Sequence, residues 1–201
     1  PGGFRVTRSL SIIPIVHTEA DLGQLADHLR AQIGEEAWAD KQRAVAEIWR
    51  RIAQWCDEAD AGGLRIYQDG LPHDPNAARI VADLAAKGSL NHRILKGLMD
   101  RGAELVGTED PELLLREYEI AKAAAEAIDA GRRPDPRDAQ RSATLLERRD
   151  QYIARRIDET LEETNRGVLF IGMLHDVAPK LPADIETVFP LGNPAPQRRT
   201  A

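Results

Sequence analysis

Apolar residues along this chain follow two alternating patterns. Short runs rich in Ile, Val and Leu are separated by longer runs whose apolar positions recur with a helical period. That alternation is the signature of an α/β domain. The first short run, 10–16, has strand composition but contains Pro14. Proline has no N–H to give to a ladder, so the strand is expected at a sheet edge or with a bulge. Helical patterning covers about 21–32 and ends at Gly34, and a second helix is expected over 36–56, where Trp38, Val45, Ile48, Trp49, Ile52 and Trp55 share one broad face.

Residues 64–67 alternate and predict a second strand closed by Asp69-Gly70. Asp74-Pro75 has the form of a helix start, an acidic N-cap with proline at the first helical position. It predicts helices over 76–87 and 90–101, parted by Gly88. A short third strand is expected at 104–106. Asp110-Pro111 then repeats the helix start before an Ala-rich helix to Ala130. The segment 131–136 is a linker inside one domain, and a long helix follows over 137–163. The run 168–171 is the most apolar and predicts the centre of the sheet, covered on both faces; 187–190 predicts a last edge strand. The expected fold class is therefore α/β, a mostly parallel central sheet of about four to five short strands flanked by helices, with helical insertions. It forms a single domain over 1–191, with a disordered tail over 192–201.

Composition narrows the function classes. The 201 residues include 27 Lys and Arg against 33 Asp and Glu, a formal net charge of −6. An acidic chain has no electrostatic reason to bind nucleic acid or an anionic membrane, so neither is expected as a partner. The apolar run 168–171 is far too short to span a bilayer. The single cysteine, Cys56, cannot form an internal disulfide, and no CxxC pair is present to hold zinc. No signal peptide is evident, and the expectation is a soluble, cytoplasmic protein. No P-loop, GxGxxG, HExxH or GxSxG occurs, which removes the usual sequence support for nucleotide-dependent transfer, dinucleotide redox chemistry, zincin proteolysis and α/β-hydrolase chemistry.

In open parallel sheets ligands bind outside the carboxyl ends of the strands. The residues following each predicted strand carry groups able to move a proton or bind a ligand. They are His17, Glu19 and Asp21 after the first, Asp69 after the second, Glu109 and Asp110 after the third, and His175 and Asp176 after the fourth. Parallel strands would gather all four sets on one edge. Each also has a plainer role open to it: Asp110 as a helix cap, Asp69 as a turn residue, Glu109 as a loop acid, either histidine as a loop residue. In the long helix, Leu146, Ile153, Ile157 and Leu161 form an apolar stripe from which Asp150 also projects, with Arg149 at its border. Burying an unsatisfied polar group costs about 2–7 kcal/mol, so Asp150 must face a partner, whether Arg149 in a buried ion pair or a site. His28, His73 and His92 are assigned no role. Cys56 reads as a helix-end hydrophobe and the tryptophans as core.

The run Arg149-Asp150-Gln151-Tyr152-Ile153-Ala154, followed by a strand and the GxxH motif Gly172-Met173-Leu174-His175, resembles the closing segment of erythromycin esterase-like and TraB/Tiki-like proteins. His17 with Asp21 resembles the first histidine and following acid of those families, Pro14 standing where they carry glycine, and their early acidic strand end would fall on Asp69. The resemblance implies an α/β fold whose two halves meet at one site, and activities that include ester hydrolysis and metal-dependent peptide cleavage. The resulting expectation is a hydrolase of an ester or amide bond acting on a small-molecule substrate. His17, His175, Arg149 and Asp150 would be catalytic, and Glu19, Asp21, Asp69 and Glu109 binding. In this scheme one histidine is the general base on water. A divalent metal ion, if used, would draw on His17, His175 and Asp69. The alternative is a non-catalytic small-molecule binding or regulatory domain of the same fold. Helix faces rich in tryptophan leave room for a homodimer.

Overall fold

The structure is a computed structural model that describes residues 8–16, 18, 24–163 and 165–192. Five parallel strands form one sheet: β1 (Arg8–Ile15), β2 (Leu64–Gln68), β3 (Glu104–Val106), β4 (Arg166–Gly172) and β5 (Ile185–Val188). Their spatial order is β3-β2-β4-β1-β5, with helices in every crossover but the last, which holds a 3-10 turn at Ala178–Lys180. The helices are α1 (Gln24–Ile33), α2 (Glu35–Glu58), α3 (Ala77–Ala86), α4 (Leu90–Asp100), α5 (Pro111–Asp129) and α6 (Arg137–Thr160). The α/β class and the parallel sheet agree with the pattern in the sequence. Among the described residues no helix is long and apolar enough to cross a membrane.

Strand alternation sends side chains to two cores. Ile13, Leu64, Ile66, Val168 and Phe170 pack under α2, α3 and α4. Leu10, Ile12, Tyr67, Leu169 and Ile171 face Ile153, Ala154 and Ile157 of α6. β4 is central and its residues Gly167–Ile171 are all buried, so neither face reaches water. Phe170 and Leu169 are both 0% exposed; burying such a side chain is worth about 1.5–3 kcal/mol.

Several local expectations change. β1 is not an edge strand: it lies between β4 and β5. Pro14 is tolerated because β5 pairs only with Arg8–Ser11, while β4 runs alongside as far as Ile15. At Pro14 the β5 side of the strand is unpaired, so no ladder N–H is missed there. The helix expected over 76–87 starts at Ala77 with Asn76, not Asp74, at its N-cap. Asp74 instead accepts the Asn76 N–H at 2.7 Å in a turn that precedes α3. Asp110 is an N-cap as predicted, accepting the Glu112 N–H at 2.8 Å with Pro111 behind it. On α6 the stripe begins at Leu145, not Leu146, and Arg149 is inside it, not at its border. Trp38 and Trp49 are buried within the chain and Trp55 is half-buried.

Candidate functional site

The carboxyl ends of β2, β3 and β4 open into loops on the same edge of the sheet. Backbone hydrogen bonds join these loops. The Asp69 N–H donates to Phe170 O at 2.9 Å, extending the β2–β4 ladder by one residue. Thr108 and Glu109 both donate their N–H to Leu71 O, at 3.1 and 3.0 Å, and His73 N–H donates to Glu109 O at 2.7 Å. Gly107 makes this approach possible: a Cβ there would stand 2.6 Å from His73 Cα and 2.7 Å from Pro72 O. Gly70, at φ 74°, turns the β2 loop so that its N–H donates to Glu109 Oε1 at 2.9 Å.

Arg149 reaches this edge from α6. Its Nε donates to Glu109 Oε2 at 2.7 Å and its Nη2 to Glu109 Oε1 at 2.5 Å, a bidentate pair. Nη2 also donates to Asp69 Oδ1 at 2.7 Å, and Nη1 to Glu117 Oε2 of α5 at 2.5 Å. Asp150, the next residue, takes a different partner. Its Oδ1 accepts from His175 Nδ1 at 2.5 Å and its Oδ2 from the Asp176 N–H at 2.9 Å. The other imidazole nitrogen, His175 Nε2, faces Asp69 Oδ2 at 3.5 Å, and that oxygen also accepts the Gly172 N–H at 3.0 Å. Asp69 thus joins the arginine half of the cluster to the histidine half.

The electrostatics follow from this layout. Burial works against a charged imidazole, but hydrogen bonds and Coulomb attraction from Asp150 and Asp69 outweigh it and push His175 up to about 9. Burial likewise opposes the Asp69 carboxylate, yet His175 and Arg149 hold it well below the usual carboxylate range. Burial lifts the Glu109 carboxyl against the pull of Arg149, with the Asp69 charge adding to the lift. Arg149 is held above its ordinary value: burial is outweighed by Glu109, Asp69 and Glu117. At neutral pH the cluster holds an imidazolium beside an ionised Asp69. Side-chain exposure is 5% for His175 and 16% for Asp69, so Asp69 is the more open member of that pair.

Asp69, Glu109, Arg149, Asp150 and His175 therefore come together in one cluster. His17, Glu19 and Asp21 lie outside the described residues. Arg149 and Asp150 do not form the ion pair weighed from their adjacency. Consecutive helical residues diverge by about 100°, and each finds its partner on a different loop. Glu117 was not anticipated from the sequence. Nothing distinguishes it from the other glutamates of α5, and only the packing of α5 against α6 brings it to Arg149. Lys180 was also missed; its Nζ lies 3.9 Å from Asp150 Oδ2 and 3.2 Å from Glu147 Oε2. Cys56 is buried on the other face of the sheet, and burial pushes its thiol up to about 12, which suits a packing role.

Among the described residues no group of three His, Cys, Asp or Glu side chains is placed to hold a metal ion. Asp69 and His175 are adjacent, but the imidazole is held protonated between Asp150 and Asp69, so neither ring nitrogen offers a lone pair at neutral pH. Two surface cavities, one between α2 and α4 and one between α5 and α6, both lie away from this cluster. No family model, no curated protein and no solved structure matches the chain.

Proposed function

We propose that the cluster is the acid–base site of a hydrolase acting on an ester or amide bond of a small molecule. The observation that carries this reading is the pair of opposed charge states at the strand ends. An imidazolium oriented through Nδ1 by Asp150 stands 3.5 Å from a carboxylate held ionised at Asp69. Environments that push two titratable groups apart assign one as acid and the other as base. Water adds to the substrate carbonyl carbon while its proton passes to Asp69. The bond to the leaving oxygen or nitrogen breaks as His175 Nε2 gives up its proton to it. The proton on Asp69 then returns to His175, restoring the pair. His175 is an acid in this scheme, because its two carboxylates keep it protonated, whereas the sequence left the general base open between His17 and His175. The ordered set Arg149, Asp150 and His175 that resembles the erythromycin esterase-like and TraB/Tiki-like segment supports the same site.

Hydrolysis of a panel of alkyl esters and amides by the wild-type protein, His175→Gln and Asp69→Asn tests the reading. General acid–base groups contribute about 10²–10⁴-fold, and each variant is expected to lose that much turnover while its circular dichroism is retained. A wild-type protein without turnover, or a His175→Gln variant as active as wild type, would overturn it.

A second reading is favoured by one specific observation. Arg149 has its Nε, Nη1 and Nη2 all engaged by carboxylates inside the protein, which is the arrangement of a structural ion-pair network in a non-catalytic binding domain. On that reading His175→Gln lowers the melting temperature and no substrate of the panel is turned over.

A further inference from the structure

The helices α2 and α4 enclose a hollow of about 440 Å³. Each presents one face to it. From α2 the lining is Ala46, Trp49, Arg50, Ala53, Cys56 and Asp57; from α4 it is Leu90, Arg93, Ile94 and Gly97, with Arg101 just past its end. Steps of three and four from 46 to 53 and from 90 to 97 keep each row on one side of its helix. The hollow exists because small residues interrupt each row. Ala46 and Ala53 stand on one side and Gly97 on the other, and a Cβ added at Gly97 would meet nothing within 4 Å. Trp49, Ile94 and Leu90 supply the apolar wall. The volume lies within the range of small-molecule sites, about 300–1,000 Å³.

The mouth is positive on a chain whose net charge is −6. Three arginines and one acid, Asp57, border it, and the arginines are not equivalent. Arg50 pairs with Glu47, at 2.8 and 2.6 Å. Arg101 is committed to the end of α2, donating to the carbonyls of Cys56, Asp57 and Ala59. Arg93 is exposed and makes no side-chain hydrogen bond or ion pair among the described residues. It is an unengaged guanidinium, one helical turn from Leu90 and from Gly97. A guanidinium offers a planar fork that matches a carboxylate, and here it adjoins an apolar hollow. We infer that the α2–α4 groove binds a small amphipathic carboxylate, its apolar body between Trp49, Ile94 and Gly97 and its carboxylate on Arg93. This site is separate from the cluster at the sheet edge and does not depend on the hydrolase reading.

The test is calorimetric titration of the whole chain with monomeric decanoate and, as the neutral counterpart, decanol. Two variants accompany the wild type, each checked by circular dichroism. Gly97→Leu fills the hollow, and Arg93→Gln removes the charge from an exposed position. The expected result is saturable decanoate binding about tenfold tighter than decanol, the worth of one charge-assisted contact. It is abolished by Gly97→Leu, while Arg93→Gln brings decanoate down to the level of decanol. Should Gly97→Leu not fold, the Arg93→Gln comparison decides alone. Absence of saturable binding to the wild type overturns the inference, as it would if another part of the chain or a second copy filled the groove. Equal affinity for decanol, or binding unchanged by either folded variant, overturns it as well.

Discussion

The Asp150 carboxylate accepts the His175 Nδ1–H at 2.5 Å through one oxygen and the Asp176 backbone N–H at 2.9 Å through the other. A helix residue therefore fixes both the ring and the backbone of the loop that leaves β4. The imidazole is committed on its Nδ1 side and turns Nε2 toward Asp69, the more open of the two carboxylates. Four measurable consequences follow from this contact and its neighbours.

Asp150→Asn removes a full negative charge from the Nδ1 side without removing the side chain. The His175 pKa, about 9 in the wild type, is expected to fall toward the ordinary histidine value as the carboxylate attraction is lost. An NMR titration of the imidazole carbon-bound protons reads this directly. An unchanged midpoint would mean that Asp69 alone sets it.

Stability should depend on pH through the same pair. The folded protein binds the His175 proton more tightly than the unfolded chain, whose value is near 6.5. The His175 contribution is therefore fully present below about 6.5 and is lost as pH rises through about 9. Urea unfolding of wild type and His175→Gln across this window should show the difference between them shrinking as pH increases. Asp69 runs the other way. Its lowered pKa gives a contribution present above about 3.8 and lost as pH falls into the acid range. A stability difference that grows above pH 7 would refute the histidine assignment.

Arg149→Met leaves Glu109 buried without its cation and Asp69 with His175 alone. Breaking a buried ion network at one partner costs about 3–5 kcal/mol, and for a chain of this length each kcal/mol lowers Tm by about 2–4 °C. Equilibrium denaturation should show that loss. Replacing Arg149 together with Glu109 by apolar residues should recover part of it, since the uncompensated charge at Glu109 is then removed as well.

Gly107→Ala places a methyl group against backbone atoms of the β2 loop, 2.6 Å from His73 Cα and 2.7 Å from Pro72 O. Neither can rotate away, so the two loops must separate. A destabilisation of about 1–3 kcal/mol is expected. Amide shifts should concentrate at Leu71, His73 and Glu109, whose hydrogen bonds join the loops. A stability equal to wild type would show that the loops part freely.

Much of the architecture is written locally. The two-residue alternation assigns Val168, Phe170 and Ile13 to one core and Leu169, Ile171, Leu10 and Ile12 to the other, because successive strand residues point to opposite faces whatever their neighbours are. The position of Asp150 on the apolar stripe of α6 is equally local, since three- and four-residue steps fix a helix face. So is the Asp110 cap, which needs only its own next turn.

What the chain does with those positions was decided by tertiary structure. Arg149 meets Glu109, Asp69 and Glu117 across 40, 80 and 32 residues, and His175 meets Asp150 across 25. The adjacency of Arg149 and Asp150 suggested a pair, yet the helix turns them toward different loops. Pro14 argued for an edge strand, yet the sheet order put β1 inside and let β5 end before the proline. The helix spacing shows which α4 residues share a face, but only its packing against α2 leaves Arg93 unengaged beside a hollow. Strand order, register and the pairing of charges across loops depend on contacts between segments far apart in sequence. No local pattern of side chains specifies which of several equivalent carboxylates will arrive.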